Sequence, residues 1–405
     1  MKRSKIVLAY SGGLDTSVAL RWLRDTREAD IYCVIVDVGQ REELASIARR
    51  AMQIGAADVL IEDARDDFAR EFVFPMLRAN ARYEGAYLMG SCIARPLIAR
   101  RQVECARRLG ADALAHGATG KGNDQIRFEL TYAALAPDLQ VIAPWRIWDL
   151  RTRLDLIAYA RDHSIPITMG SDGGDPMSID QNLMHTSYEG HLLEDPSCQP
   201  PDDMFLHVPD VGNTPDDGEL VTITIAGGDA RAVNGTELSP REALETLNRL
   251  GERHGIGRCD MVESRILGMK SRNVYETPGA TILHAARRAA EGLCLDKEVL
   301  FLQEELMPRY ARMVYHGLWF SPERQVLQVA FDKAQEAVNA TIIMRLRKGI
   351  VDVVERHAAG GLYHKELASF DDRNYRHGDA EGYLRLAGLR LRLWARSRAG
   401  SLGGR

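Results

Sequence analysis

Ser11-Gly12-Gly13-Leu14-Asp15-Thr16-Ser17 lies between a short apolar run, Ile6-Val7-Leu8-Ala9-Tyr10, and a stretch from Thr16 to Arg27 with helical spacing. A strand, a glycine turn and a helix in that order form an anion site. The glycines let the backbone turn sharply and bring its N–H groups close to a ligand. The helix start offers unpaired N–H donors at the positive end of its dipole. Ser11, Thr16 and Ser17 add hydroxyl donors, and the natural ligand for such a set is phosphate. The spacing is neither the Walker A pattern nor G-x-G-x-x-G. Asp15 is unusual in an anion pocket. It suits a cap on the helix start or a contact to Mg²⁺ carried on phosphates.

A second cluster follows the apolar run Ala113-Leu114-Ala115. In His116-Gly117-Ala118-Thr119-Gly120-Lys121-Gly122-Asn123-Asp124-Gln125-Ile126-Arg127-Phe128-Glu129-Leu130, three glycines again free backbone donors. An ammonium, an amide, a carboxylate and a guanidinium then come within seven residues. That mixture suits a zwitterion held beside a phosphate, with Arg127 for an anion and Asp124 for an ammonium. An ordinary solvated loop is the competing reading. His116, at a strand end, suits a local hydrogen bond better than a phosphate contact.

Both loops need a frame. Ile31–Val36, Val59–Ile61 and Val141–Ala143 are further β-rich runs, and helical patterns lie at Glu42–Ile54, Asp66–Ala81 and Ile93–Leu109. Short apolar strands alternating with helices predict a parallel sheet buried on both faces, wound in two directions. From Leu220–Ile225 onward the rhythm changes to mixed strands and helices, with Pro240–Gly251 helical behind Ser239 as N-cap. An α+β domain is expected there. Pro and Gly cluster between Ile165 and Pro176, which puts a boundary there. The division is therefore 1–168 for nucleotide binding, 169–375 for an α+β substrate domain, and 376–405 for a terminal amphipathic helix and tail. That helix, Glu381–Arg398, carries Tyr383, Leu384, Leu386, Leu389, Leu391, Leu393 and Trp394 among arginines, a pattern for docking on a neighbouring subunit.

The chain has 405 residues, 45% hydrophobic and 27% charged, so it is globular and of two or three domains. With 52 Lys+Arg against 57 Asp+Glu, the net charge of −5 argues against a nucleic-acid partner. The six cysteines form no C-x-x-C pair and match no zinc spacing. No apolar run approaches the ~18 residues of a membrane helix, and the run after Lys5 is too short for a signal peptide. A cytoplasmic protein without a membrane partner is expected.

The S-G-G-x-D-T-S turn is the signature of the PP-loop ATP pyrophosphatases. With the second loop beside it, the chain resembles the argininosuccinate synthase family over nearly its whole length. The resemblance rests on Ala9–Ser17, Asp37-Val38-Gly39-Gln40, Ile93-Ala94-Arg95-Pro96, His116–Leu130 and Ala143-Pro144-Trp145-Arg146. It continues through Asn182-Leu183-Met184-His185, Ser187-Tyr188-Glu189, Gly268-Met269-Lys270-Ser271-Arg272 and Tyr275-Glu276-Thr277-Pro278.

The resemblance implies an AMP-forming ligase that joins L-citrulline to L-aspartate through a citrulline–adenylate, using ATP and Mg²⁺, in a homotetramer. It implies ATP on Ala9, Tyr10, Ser11, Gly12, Gly13, Leu14, Asp15, Thr16 and Ser17, with Val36 and Gly117 nearby. It places aspartate at Thr119, Asn123 and Asp124. Citrulline would meet Tyr87, Cys92, Asn123, Arg127, Ser178, Ser187, Glu263 and Tyr275. Asp15, Lys121 and Asp124 are the candidates for chemistry, Lys121 for charge on departing pyrophosphate and Asp124 for the aspartate ammonium. No protein-only metal site is implied.

Position 92 departs from the family, which usually has Ser there. Cys92 is either a near-isosteric swap or the mark of a pocket retuned for another ureido or carbamoyl substrate. Among other PP-loop enzymes, a tRNA-thiolating enzyme would want catalytic cysteines and a basic surface. A glutamine-dependent one would want a Cys nucleophile at the start of the chain. A silent nucleotide-binding scaffold would be expected to show an eroded phosphate loop, and Ser11–Ser17 is intact.

Overall fold

The residues of the first strand alternate between two cores. In β1 (Ser4–Ala9) and the residue after it, Ile6, Leu8 and Tyr10 join one apolar cluster while Val7 and Ala9 join another. A strand buried on both faces needs helices on both faces, and it has them. α1 (Leu14–Thr26), α2 (Leu44–Ile54) and α7 (Arg153–Asp162) supply the cluster around Leu8. α5 (Gly90–Leu109) and α6 (Asp124–Leu135), with a helical stretch built of α3 (Arg65–Asp67), a π-turn at Phe68–Val73 and α4 (Phe74–Arg78), supply the other.

The structure, a computed structural model, describes residues 3–166, 177–370 and 376–402. The boundary expected at 168/169, with its Gly173-Gly174-Asp175-Pro176 cluster, and the one at 375/376 both lie outside the described residues. Met1–Gly361 forms one compact unit and Leu362–Arg405 a second.

The parallel sheet joins β1 to β2 (Ala29–Asp37), β3 (Asp58–Asp63), β4 (Ala113–His116) and β5 (Gln140–Ile142) in the order β3-β2-β1-β4-β5. The chain winds outward from β1 through β2 to β3, then returns to lay β4 on the other side of β1. The two carboxyl ends therefore splay at the β1/β4 switch point, where open α/β sheets hold their ligands. Gln102 of α5 donates to Val7 O (2.7 Å) and Ala115 O (2.8 Å), pinning both strands beneath that crevice.

Two antiparallel sheets follow, as the loss of the βαβ rhythm predicts. One takes β6 (Ser178–Gln181), β7 (Thr186–Glu189), β11 (Arg258–Ser264) and β12 (Lys270–Glu276) in the order β11-β12-β7-β6. The other takes β8 (Glu219–Ala226), β9 (Asp229–Val233), β10 (Thr236–Glu237), β13 (Ala340–Arg347) and β14 (Ile350–His357) in the order β10-β9-β8-β13-β14. Helix α8 (Pro240–Arg253) starts as expected at Ser239, in a capping box with Glu242. Helices α9 (Pro278–Cys294), α10 (Lys297–Tyr315) and α11 (Pro322–Gln335) follow.

The second unit holds α12 (Lys365–Ala368) and α13 (Asp379–Leu402). Along α13 the apolar residues from Tyr383 to Trp394 are exposed. The second glycine-rich cluster runs into a helix that its residue pattern does not announce, α6 (Asp124–Leu135). Its buried face carries Gln125, Arg127 and Thr131 beside Phe128 and Tyr132, so it lacks the apolar stripe that marks an ordinary surface helix.

Candidate active site

After β1 the chain turns at Gly12, whose φ of +79° is open to glycine at little cost. Gly13 begins α1 without any side-chain cap, so the first N–H groups of the helix are left for a ligand. The hydroxyls hold the turn in shape: Ser11 Oγ lies 3.2 Å from Thr16 Oγ1, which donates to Gly13 O at 3.3 Å. Ser17 is buried and bonded to Tyr10 Oη at 3.0 Å. The loop after β4 closes on this turn from the other side of the switch point. A Cβ on Gly117 would stand 2.8 Å from Thr16 Cγ2 and 3.2 Å from its backbone N. Between the loops opens a cavity of about 850 Å³. Its wall includes Ser11, Gly13 and Asp15 on one side, and His116, Gly117 and Asp124 on the other.

Asp15 faces this cavity as the acceptor of the Trp145 indole N–H at 3.1 Å. Burial raises its pKa, and the indole bond partly opposes that. The next residue, Arg146, pairs with Glu129 at 2.6 Å. His116 Nε2 lies 3.0 Å from the same carboxylate, the local bond expected of it. Burial would raise the Glu129 pKa, but His116 and Arg146 hold it at about 2. The Ala143–Arg146 segment thus braces both loops.

At the start of α6, Asp124 is gripped by two guanidiniums. Arg95 Nε donates to Oδ2 at 2.8 Å and Arg127 Nη1 to Oδ1 at 2.9 Å. Burial alone would raise its pKa; the two cations outweigh burial and hold it at about 2. Asp124 is therefore a fixed negative charge at neutral pH and a poor proton acceptor.

Beside Arg127 lies a buried aromatic cluster. Tyr87 stacks on Tyr275 with ring centroids 4.1 Å apart, and Tyr83 on Tyr315 at 3.6 Å. Glu263 accepts from the hydroxyls of Tyr275 and Tyr315, both at 2.8 Å. Tyr315 Oη in turn accepts from Asn123 Nδ2 at 2.9 Å, and Asn123 Oδ1 accepts from Ile266 N at 3.0 Å. Burial raises the Glu263 pKa, while the two phenol bonds work against that. Cys92 is fully buried, its Sγ 3.8 Å from Tyr87 Oη, and burial pushes the thiol up to about 12. Pro96 has no N–H to offer the Cys92 carbonyl one turn earlier in α5.

The arrangement can take an anion such as phosphate on the glycine turn, and it sets buried phenol, amide and charged groups near the cavity that are able to meet polar and charged parts of an amino acid. Comparison of the sequence with known proteins bears on nearly its whole length. Residues 5–166 match the arginosuccinate synthase N-terminal HUP domain, and residues 177–394 match the arginosuccinate synthase C-terminal domain. The chain is 52% identical over 393 residues to the argininosuccinate synthase of Nitratidesulfovibrio vulgaris, covering 96% of this chain and 97% of that protein. It is 52% identical over 390 residues to that of Rhodospirillum rubrum, with 96% of each covered. The Maricaulis maris protein of the same name is 53% identical over 393 residues, 97% of this chain and 96% of its own. The chain belongs to the argininosuccinate synthase family.

The structure gathers most of the residues that family resemblance singles out. Ala9, Tyr10, Ser11, Gly12, Gly13, Leu14, Asp15, Thr16, Val36 and Gly117 all line the large cavity, and Ser17 lies behind it. Tyr87, Cys92, Asn123, Arg127, Glu263 and Tyr275 share the buried aromatic cluster. Ser178 lines the cavity from β6, and Ser187 pairs with Tyr275 across β7 and β12. Thr119 and Lys121 are exposed at the tip of the second loop and do not line the cavity.

Tyr315, Trp145 and Arg95 are the partners that sequence reasoning missed. Trp145 and Arg95 lie within the Ala143–Arg146 and Ile93–Pro96 segments, where the sequence gives neither of them a partner. Tyr315 is 192 residues from Asn123 and carried no local signal. Among the described residues no group of three or more His, Cys, Asp or Glu is arranged to hold a metal ion, and no helix is long and apolar enough to cross a membrane.

Proposed function

We propose that this chain is an ATP-dependent ligase that condenses L-citrulline and L-aspartate to argininosuccinate, releasing AMP and pyrophosphate. The observation that carries the reading is an intact phosphate loop at the switch point of a chain whose likeness to argininosuccinate synthases runs end to end. In the first step the ureido oxygen of citrulline attacks the α-phosphorus of ATP, and the bond to pyrophosphate breaks. In the second, the aspartate amine attacks the ureido carbon and the C–O bond to AMP breaks. The amine proton leaves to solvent or phosphate.

Both steps are reactions of placement and charge neutralisation. Backbone donors of Ser11–Ser17, with Gly117 opposite, would hold the triphosphate, and Val36 would border the nucleoside. Mg²⁺ arriving with ATP would supply positive charge to the departing pyrophosphate, with Asp15 as the loop carboxylate able to meet it. Lys121, exposed at the loop tip, would reach the phosphates only by moving inward. Tyr87, Cys92, Asn123, Arg127, Ser178, Ser187, Glu263 and Tyr275 would hold citrulline. Thr119, Asn123 and Asp124 would hold aspartate, with Asp124 pairing the ammonium as a fixed charge and not as the base.

The domain division at about 168 is part of this reading, supported by the two family matches that end at 166 and resume at 177. So is a homotetramer, for which the exposed apolar row on α13 speaks. We place the enzyme in the cytoplasm, where its six free cysteines suit a reducing compartment. The test is a panel of ureido and carbamoyl compounds with ATP and aspartate, read by AMP release. Citrulline should lead the panel. Brisk release with another carbamoyl compound and none with citrulline would overturn the substrate and keep the adenylation.

A further inference from the structure

We infer that Arg95 is a positioning residue for the second half-reaction: it clamps Asp124 of α6 to Asp180 of β6 and thereby fixes the carboxylate that receives the aspartate ammonium. The inference rests on the proposed placement of aspartate at Asp124. Arg95 sits one turn into α5 with its side chain turned to the cavity wall, where Asp124 and Asp180 also lie. Its Nε reaches Asp124 Oδ2 at 2.8 Å and its Nη2 reaches Asp180 Oδ1 at 3.0 Å. The remaining oxygens are also engaged. Arg127 Nη1 donates to Asp124 Oδ1 at 2.9 Å, and Ser91 Oγ donates to Asp180 Oδ2 at 2.6 Å.

The outer end of the chain is locked as well. Ser91 gives its one proton to Asp180, so its oxygen is left to accept from His185 Nε2 at 2.8 Å. Burial brings the His185 pKa down to about 4, so the imidazole is neutral and carries its proton on Nε2. The ring lies against Gly90, where a Cβ would come within 2.5 Å of it. The line His185–Ser91–Asp180–Arg95–Asp124–Arg127 thus has a donor for each contact and places two cations against two carboxylates.

An arginine suits this place because its planar fork can serve two carboxylates on different elements at once; a lysine ammonium acts as one point. Without the guanidinium, Asp124 keeps only Arg127, and Asp180 repels it across the gap. Asp180 also stands two residues from Ser178 on the same strand, so the clamp ties the two amino-acid sites together.

The test compares the KM for aspartate in the wild-type enzyme and in the Arg95→Ala, Arg95→Lys, Asp124→Ala and Arg95→Ala/Asp124→Ala variants, with Arg95→Gln as a substitute should the alanine variant not fold. Arg95→Ala should raise the aspartate KM at least tenfold, and Arg95→Lys, which restores the charge without the fork, should recover it only in part, leaving it at least about threefold above wild type. The double variant should be no more than about threefold worse than Asp124→Ala alone, because the same positioning is lost only once. An aspartate KM within twofold of wild type for Arg95→Ala or Arg95→Gln, or effects that multiply in full in the double variant, would overturn the inference while the Asp124 placement stood. An Asp124→Ala enzyme with a wild-type aspartate KM would remove the placement itself, and the inference with it.

Discussion

Gly12 and Gly13 are neighbours in the phosphate loop, and the structure predicts opposite consequences for an added methyl group. At Gly12, φ is +79° and a Cβ would lie 2.6 Å from Ile47 Cγ2 of α2. The left-handed conformation costs an L-residue about 1–2 kcal/mol, and overpacking against Ile47 costs about 1–3 kcal/mol more. Gly12→Ala should therefore lose several degrees of melting temperature. At Gly13, φ is −72° with extended ψ, and the only atom near a Cβ is Ser11 Oγ at 3.5 Å.

There the lower chain entropy of alanine favours folding by about 0.4–1 kcal/mol, and alanine's poor fit as an N-cap offsets this by a similar amount. Gly13→Ala should keep its unfolding free energy to within about 1 kcal/mol of wild type. Gly13 lines the cavity, so the methyl group is added at the wall where phosphate oxygens should approach. Losing one charge-assisted hydrogen bond costs about 1.5–3 kcal/mol, which at 1.4 kcal/mol per decade raises the KM for ATP roughly ten- to a hundredfold. Calorimetry and initial-rate kinetics on the two variants separate folding from binding. A stable Gly13→Ala enzyme with an ATP KM within twofold of wild type would refute the claim that phosphate sits on this turn.

Three further outcomes follow from the pocket and its supports. Cys92→Ser should change kcat/KM for citrulline by less than about tenfold, since one neutral hydrogen bond is worth on the order of 1 kcal/mol; a large gain in citrulline use would instead mark a pocket tuned to another substrate. Tyr315→Phe leaves Asn123 and Glu263 each short of a buried partner, at roughly 1–3 kcal/mol of stability, and should raise the citrulline KM; unchanged stability and KM would show that this hydroxyl is idle. His185 has its pKa lowered by burial to about 4, so the folded state resists a proton that the unfolded state takes near 6.5. Its contribution is full above 6.5 and is lost as pH falls from there toward 4. In urea titrations across that window wild type should lose more stability than His185→Gln, and equal slopes would contradict the assignment.

The parts of the molecule that were legible in the sequence are those whose physics is local. A buried strand, a glycine turn and a helix start stand within a few residues of one another, so the β1–α1 loop and its phosphate chemistry could be read directly, as could the Ser239 cap of α8. The partnership of the two loops follows from the parallel winding, which brings the ends of β1 and β4 side by side. Helix α6 escaped because its buried face is polar, Arg127 and Gln125 lying where an apolar stripe would normally be. The three helices between Pro278 and Gln335 are not among the elements singled out in the sequence, although Asp296 and Ser321 cap two of them much as Ser239 caps α8. The clamp of Arg95, the brace of Trp145 and the bridging phenol of Tyr315 depend on elements distant in sequence. Periodicity and spacing carry no record of such contacts; only the packed structure brings Tyr315 to Asn123 and Glu263.

The central claim is that the ureido oxygen of citrulline is activated by AMP before the aspartate amine attacks. Citrulline labelled with ¹⁸O at the ureido oxygen, turned over with ATP and aspartate and analysed by mass spectrometry of the products, tests it directly. The label should appear in the phosphate of AMP and be absent from pyrophosphate. AMP without label, or label in inorganic phosphate or pyrophosphate, would contradict the citrulline–adenylate and the mechanism built on it.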